Sequence, residues 1–404
     1  MKIKVFHSYG GEWRLSGVNT WTVNLIQGMD PGQFEQKVLF TGVPHRTQPE
    51  LETLGIRYTF LDLPAKRPRR AEWRALKDFL EANSPCIYVP NYDFHRSCAV
   101  GILAHSVATC AVIHSDEPCW YDEVERLGTN FDAIVAVSSC ISQNLRKRFP
   151  KVAERVTYIP HGIPLPASRG GLRSDSKVLK LVYCNRLEQY QKRVFDLPKI
   201  AAELKRRGVA FRLTVAGDGP DAEALRSRFR DDGLDAEVTM TGRVPNSEIM
   251  RFLSESDVFL LTSDFEGLPI SLLEAMSMGV TPVVYQIASG IEDVVQTEQN
   301  GILVPHGNVV EFAAVLEKLS RDRARLERLG RGAAATIAEK FSLARMCRDY
   351  SILVESLHAR ATENGHHARI SGVRPPRDLT LSGRLSRRLR AYLSPAKRNA
   401  ESLS

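Results

Sequence analysis

Up to residue 160, short apolar runs rich in β-forming residues alternate with stretches whose apolar residues recur at helical spacing. The runs are Lys2–His7, Gln36–Phe40, Tyr58–Leu63, Cys86–Val89, Cys110–His114, Ala133–Val137 and Val156–Ile159. Helical patterns lie between them at Val18–Met29, Ala71–Ala82, Arg96–Ser106 and Ile141–Phe149. Strands that read as nearly continuous apolar segments must be covered on both faces, so this alternation specifies a parallel, doubly wound α/β sheet. The alternation is interrupted by HGIPLPASRGGLRSDSK, His161–Lys177, whose Pro, Gly and Ser content suits a linker. It then resumes with runs at Lys180–Cys184, Arg212–Ala216, Glu237–Thr241, Val258–Leu261, Pro282–Tyr285 and Gly301–Val304. Two Rossmann-like domains in tandem are therefore expected, without a visible repeat between them, and 404 residues is a length that suits two such cores.

The expected boundaries are an N-terminal domain over 1–162, a linker over 163–177 and a C-terminal domain over 178–340. A helix over 341–360 should pack back toward the N-domain, and a basic tail over 361–404 should be partly disordered. The tail holds nine Lys/Arg and three acids, +6 of the chain's net +8, so the remainder is close to neutral. Seven cysteines without a CxxC pair argue against a disulfide framework or zinc site and for reduced thiols. The opening MKIKVFHSYGGEW does not read as a signal peptide, and no run approaches the roughly 18 apolar residues of a membrane span. A cytoplasmic protein is expected.

The chemistry is concentrated in two places. In DVFLLTSDFEGLPISLLEAMSMG, Asp257–Gly279, a buried strand runs into a loop carrying Glu266 and Gly267. Leu268 follows, Pro269 is expected at the first helical position, and Ile270 continues into a helix carrying Glu274. The free N–H groups and positive dipole end of such a helix suit a phosphate, and glycine lets backbone approach it closely. Glu274 stands in an otherwise apolar run, where a charge needs a partner. In CNRLEQYQKR, Cys184–Arg193, Arg186 and Lys192 flank a turn after another strand, and two cations converging on one anion would neutralise a departing diphosphate.

These stretches resemble the donor-site motifs of glycosyltransferase family 4, a group of retaining enzymes with the GT-B fold, in which two Rossmann-like domains face a central cleft. Glu266 and Glu274 match its E-x7-E pattern, and Arg186 and Lys192 its Arg-x5-Lys pattern. VAGDGP (215–220), TGRV (241–244) and NGILVP (300–305) extend the similarity over most of Lys2–Leu357. The resemblance implies that Arg186 and Lys192 bind the donor diphosphate, Glu266 holds the transferred sugar and Glu274 binds the ribose. It further implies that backbone of Gly267, Leu268, Pro269 and Ile270 cradles phosphate and that Arg243 and Val244 lie near the base. Gly17, in SGVN, resembles the glycine loop of the family's N-domain, and His114 its histidine facing the donor sugar. The chain departs from the pattern at Asn185 and Arg193, where glycine is common, and in PHGI, where PNGV is commoner. His161 of that PHGI stretch reads as a hinge residue and is left out of the candidate site.

The activity so implied is retaining, metal-independent transfer of a hexose from a nucleotide-diphosphate sugar to a glycan or lipid-linked hydroxyl. UDP-sugars are the first expectation and GDP-mannose the second. No Asp-x-Asp motif is present, and neither a metal nor another cofactor is expected. An epimerase or hydrolase acting on nucleotide sugars, and a non-catalytic partner subunit, are the alternatives. A dinucleotide-dependent oxidoreductase would need G-x-G-x-x-G after a first strand, which neither half carries. The basic residues Lys66, Arg67, Arg69, Arg70, Arg74 and Lys77 beside Trp73 and Leu76 suit an anionic membrane surface. Nucleic acid is not expected as a partner, since no binding motif accompanies the charge.

Overall fold

The computed structural model describes residues 2–11, 13, 16–42, 47–61, 69–91, 93, 96–166 and 177–364. Lys66, Arg67, most of the linker and the basic tail beyond Asn364 lie outside the described residues.

The N-domain strands are β1 (Ile3–Tyr9), β2 (Phe34–Phe40), β3 (Tyr58–Phe60), β4 (Cys86–Asn91), β5 (Val107–Ile113), β6 (Ala133–Ala136) and β7 (Val156–Tyr158). They pair in parallel in the order β3-β2-β1-β4-β5-β6-β7. Its helices are α1 (Gly17–Gly28), α2 (Pro49–Thr53), α3 (Arg69–Ala82), α4 (Pro118–Leu127) and α5 (Ser139–Arg148). The C-domain strands β8 (Leu179–Cys184), β9 (Phe211–Ala216), β10 (Val238–Gly242), β11 (Val258–Leu261), β12 (Thr281–Gln286) and β13 (Ile302–Pro305) are parallel in the order β10-β9-β8-β11-β12-β13. Between them run α6 (Gln189–Lys192), α7 (Asp196–Arg206), α8 (Ala222–Asp231), α9 (Asn246–Ser254), α10 (Ile270–Ser277) and α11 (Gly290–Val294). Then follow α12 (Val309–Arg321), α13 (Arg323–Lys340) and α14 (Leu343–Asn364).

Burial follows the sheet order. Every residue of the interior strands β4 and β5 is buried, whereas the edge strands β3 and β10 are only partly covered. Each sheet reverses its strand order once, between β1 and β4 and between β8 and β11. The crevice outside the carboxyl ends of the strands at such a reversal is where doubly wound sheets bind ligands.

One face of the C-domain sheet forms its own core with α7, α8 and α12. The other face, with Leu261, Leu272, Leu273 and Met276, joins Trp21, Ile159, Ile163 and Met346 in one apolar cluster continuous with the N-domain core. The chain passes between the domains twice, and the two crossings run side by side: Ile163 N–H donates to Phe341 O at 3.1 Å and Leu343 N–H to Ile163 O at 2.7 Å. Beyond the second crossing, α14 lies against α1, β4 and β5 of the N-domain. It buries Met346, Tyr350, Val354, Leu357 and Ala361, one stripe at helical spacing.

Two local expectations fail, and one helix was not foreseen. Arg96–Ser106 is not an α-helix but a short 3-10 turn, Ser97–Gly101, and the Glu81 carboxylate accepts the Ala104 N–H at 2.8 Å where a continuing helix would need it. The apolar residues there are buried on all sides rather than in a stripe, so their count misled. Pro118–Leu127 is a helix that the apolar pattern did not announce. Pro269 is the residue before α10 rather than its first, with an extended ψ of 118°.

Candidate active site

The loops that follow β8 and β11 meet at the strand-order reversal of the C-domain sheet, and they hold the charged candidates. After β8 the chain makes the single turn α6, then Arg193 takes a left-handed conformation (φ 47°) that turns it away. That conformation costs an L-residue roughly 1–2 kcal/mol, which explains a preference for glycine at this point. Here the Arg193 side chain offsets it with ion pairs to Asp196 at 2.9 Å and Asp264 at 3.2 Å. The second loop is laced to the first: Asp264 N–H donates to Gln191 O, and the Thr262 hydroxyl to Lys192 O, each at 2.8 Å.

This lacing sets Lys192 Nζ 2.5 Å from Glu266 Oε1, with both residues buried. The Ser263 hydroxyl donates to the same oxygen at 2.6 Å. Glu266 Oε2 has no partner among the described residues. The lysine has donors to spare beyond the one that Glu266 takes. Arg186 does not join this pair. It is 57 % exposed, with Nε 3.5 Å from Glu188 Oε2.

Glu274 lies within α10, half-buried, and no described residue hydrogen bonds to its carboxyl. Burial without a counter-charge pushes that carboxyl up to about 7. The partner that its apolar setting calls for is not supplied by the described chain. Leu268, Pro269 and Ile270 are buried at the amino end of α10. Gly267 passes so close to the N-domain that a Cβ on it would lie 2.0 Å from His114 O.

Across the cleft the placements are mixed. Gly17 is the first residue of α1, behind the Ser16 cap, and a Cβ there would meet nothing within 4 Å. The space beside it is open, and neither packing nor an unusual φ explains the glycine. The His114 ring is buried and turned inward: Nδ1 is 3.3 Å from His161 Nε2 and Nε2 is 3.2 Å from Asn91 Oδ1. Both ring nitrogens thus have partners within the protein, and it is the His114 backbone carbonyl that approaches Gly267. Arg243 is exposed and reaches Glu50 of α2 at 3.3 Å, while Val244 is buried in the core.

Two residues outside the candidate set belong here. His161 Nδ1 lies 2.9 Å from Leu268 O, so this residue touches the loop ahead of α10 directly. Glu117, just ahead of α4, is half-buried, and burial raises its carboxyl above the ordinary range, with Glu188 and Glu266 adding to that effect and Lys192 opposing it. A polar pair inside Asp-Glu-Pro after a strand was the available signal for Glu117. For His161 the sequence held none beyond the unusual PHGI.

Two family models together cover residues 15–336. The description "Glycosyltransferase Family 4" matches residues 15–165 and "Glycosyl transferases group 1" matches residues 166–336. The putative colanic acid biosynthesis glycosyltransferase WcaL of Salmonella typhimurium is 35% identical over 162 residues, 38% of this chain and 40% of WcaL. The match thus spans about two fifths of that relative's length. The putative glycosyltransferase EpsF of Bacillus subtilis is 26% identical over 309 residues, 70% of this chain and 78% of EpsF. Among solved structures, Anabaena HepE in complex with UDP-glucose aligns with a TM-score of 0.72 at 14% identity, covering 88% of this chain and all of that one. The fold is GT-B.

Proposed function

The chain belongs to glycosyltransferase family 4, and on that premise we propose that it transfers a hexose, with retention, from a nucleotide-diphosphate sugar to a hydroxyl of a glycan or lipid-linked acceptor. The observation that carries the reading is the buried Lys192–Glu266 pair at 2.5 Å, set at the strand-order reversal beside the amino end of α10. In this reading the diphosphate lies between Lys192 and that helix end, where an ammonium and free N–H groups meet the charge that grows as the glycosidic bond breaks. Arg186, exposed and paired with Glu188, turns onto the same diphosphate when the donor arrives. Glu266, its Oε1 fixed by Lys192 and Ser263, turns Oε2 to the sugar hydroxyls. Glu274 takes the ribose hydroxyls as the partners it otherwise lacks.

The anomeric carbon then acquires oxocarbenium character. The acceptor hydroxyl adds from the face that the diphosphate leaves, and a departing phosphate oxygen takes its proton. Two cations and a helix end supply the charge compensation, so the proposed transfer runs without a metal. The UDP-glucose held by the structurally similar HepE supports UDP as the first nucleotide to test, with GDP-mannose second. The polysaccharide assignment of WcaL supports a glycan acceptor. No helix among the described residues is long and apolar enough to cross a membrane. Contact with an anionic bilayer through Arg70, Arg74 and Lys77 on α3 remains part of the proposal, tested by co-sedimentation with anionic vesicles at low salt.

Thermal-shift titration with UDP, GDP and their sugars tests the donor site. A ligand at 100 times its Kd stabilises by about 2.7 kcal/mol, enough to raise Tm visibly. Anomeric proton signals of the product then test retention. Failure of every nucleoside diphosphate to shift Tm, with no release of sugar from any donor, overturns the reading.

A further inference from the structure

Four groups from four parts of the chain stand in file: Asn91 at the end of β4, His114 after β5, His161 in the first crossing, and the Leu268 carbonyl ahead of α10. The separations are 3.2, 3.3 and 2.9 Å, and Asn91, His114 and His161 are all buried.

Hydrogen-bond logic gives this file a direction. The Leu268 carbonyl can only accept, so His161 must carry its proton on Nδ1. Burial drives both imidazoles toward the neutral form, His161 down to about 4 and His114 well below its ordinary value. A neutral His161 then offers a lone pair at Nε2, and His114 must donate to it from Nδ1. That leaves a lone pair at His114 Nε2, which needs a donor. Asn91 Nδ2 is buried without a partner among the described residues, and turning the carboxamide over brings it onto Nε2. The turn exchanges an orphaned N–H for a carbonyl with a spare lone pair, the less costly of the two.

We infer that His161 is a positioning residue, the middle of a one-way chain from the Asn91 amide through His114 and His161 to the Leu268 carbonyl, which holds the donor loop of the C-domain in register with the N-domain. Its own backbone is pinned where it must be. A Cβ on Gly162 would lie 2.5 Å from Ser342 O, and Ile163 pairs with the returning chain at Ser342. The Leu268 carbonyl lies next to Gly267, the residue pressed against the His114 backbone, so chain and contact fix the same turn. An asparagine at 161 would also offer one donor and one acceptor, which makes His161→Asn the conservative variant.

Two measurements test the inference, and only the second rests on the proposed transferase reading. In protein labelled with 15N-histidine at pH 7.5, both rings should show the Nδ1–H tautomer, assigned by the signals that vanish in His114→Asn and His161→Asn. An Nε2–H tautomer at either ring overturns the chain. In the second, hydrolysis of UDP-glucose and GDP-mannose is followed for wild type, His161→Phe and His161→Asn. His161→Phe should lower kcat about 10- to 100-fold with little change in the affinity for UDP or GDP, because the cations that bind diphosphate belong to the C-domain. His161→Asn should restore most of that loss. Wild-type kcat in His161→Phe, or equal loss in His161→Asn, overturns the positioning role. If wild-type protein hydrolyses neither donor and binds neither nucleotide, the transferase reading fails, and the tautomers alone decide this inference.

Discussion

Gly267 and His114 meet backbone to backbone across the domain boundary, so closely that a Cβ on the glycine would lie 2.0 Å from the histidine carbonyl oxygen. Gly267 is not in the left-handed region, so alanine is acceptable to its own backbone and the clash is with the other domain alone. Gly267→Ala should therefore leave the C-domain intact and hold the domains apart. We expect donor turnover to fall about 100-fold, with UDP or GDP still raising Tm. Unchanged turnover would show that the two backbones do not meet during catalysis.

The Lys192–Glu266 pair makes a prediction about coupling. Removing one partner of a buried ion pair leaves an uncompensated charge and costs about 3–5 kcal/mol. Glu266→Ala and Lys192→Met should each lower stability by that order, and the double variant by clearly less than their sum. Denaturant unfolding of the four proteins measures this. Glu266→Ala should also lose most turnover, and wild-type turnover in that variant would end its assigned role.

Glu274 predicts an unusual pH response. Its carboxyl is raised from the ordinary range to about 7 in the folded chain, so between about pH 4.5 and 7 the folded state holds a proton that the unfolded state has lost. This group's contribution to stability is thus present at low pH and is lost as pH rises through 7. Glu274→Gln should raise Tm at pH 8 and change it little at pH 5, while weakening nucleotide binding. An equal effect at both pH values would contradict the burial of an ionisable group there.

A second tie crosses the boundary at α11, whose first residue, Gly290, donates its N–H to Gly267 O at 2.7 Å. Asp293 of α11 accepts the Ser139 N–H at 2.7 Å, at the amino end of α5, and its carboxylate also bonds the Ser139 hydroxyl and, at 3.3 Å, the Tyr158 hydroxyl. Losing such a cap costs roughly 1 kcal/mol. Asp293→Ala should shift the balance toward a more open arrangement, read as a larger radius of gyration in solution scattering without nucleotide. Saturating UDP or GDP should reverse the change.

The parts of this fold that could be read in advance are those where local chemistry and tertiary setting agree. Val258–Leu261 is a strand in the pattern and in the structure, because four apolar residues before a polar loop have no other way to be covered. Glu266 could be singled out by its loop between an apolar strand and a helix start, and Glu274 as a charge in an apolar run. The ties that set one domain against the other could not. Ser139 and Asp293, or His161 and Leu268, are separated by more than a hundred residues, and nothing in the neighbourhood of either announces the other. Arg186 could be placed after β8 from the pattern, but its ion pair with Glu188, two residues on, could not be read there. His114 was placed correctly at a strand end, yet spacing cannot tell an imidazole aimed at a cleft from one committed to Asn91 and His161.

Helix α14 covers α1, β4 and β5 although its residues are synthesised after all of the C-domain. The N-terminal sheet leaves the ribosome early with that apolar surface bare, and it stays bare until the second crossing has been made. Nascent chains arrested just after Lys340 should be trapped by chaperones or proteases, and release through residue 364 should end that vulnerability. The half of the molecule made first is thus the half completed last.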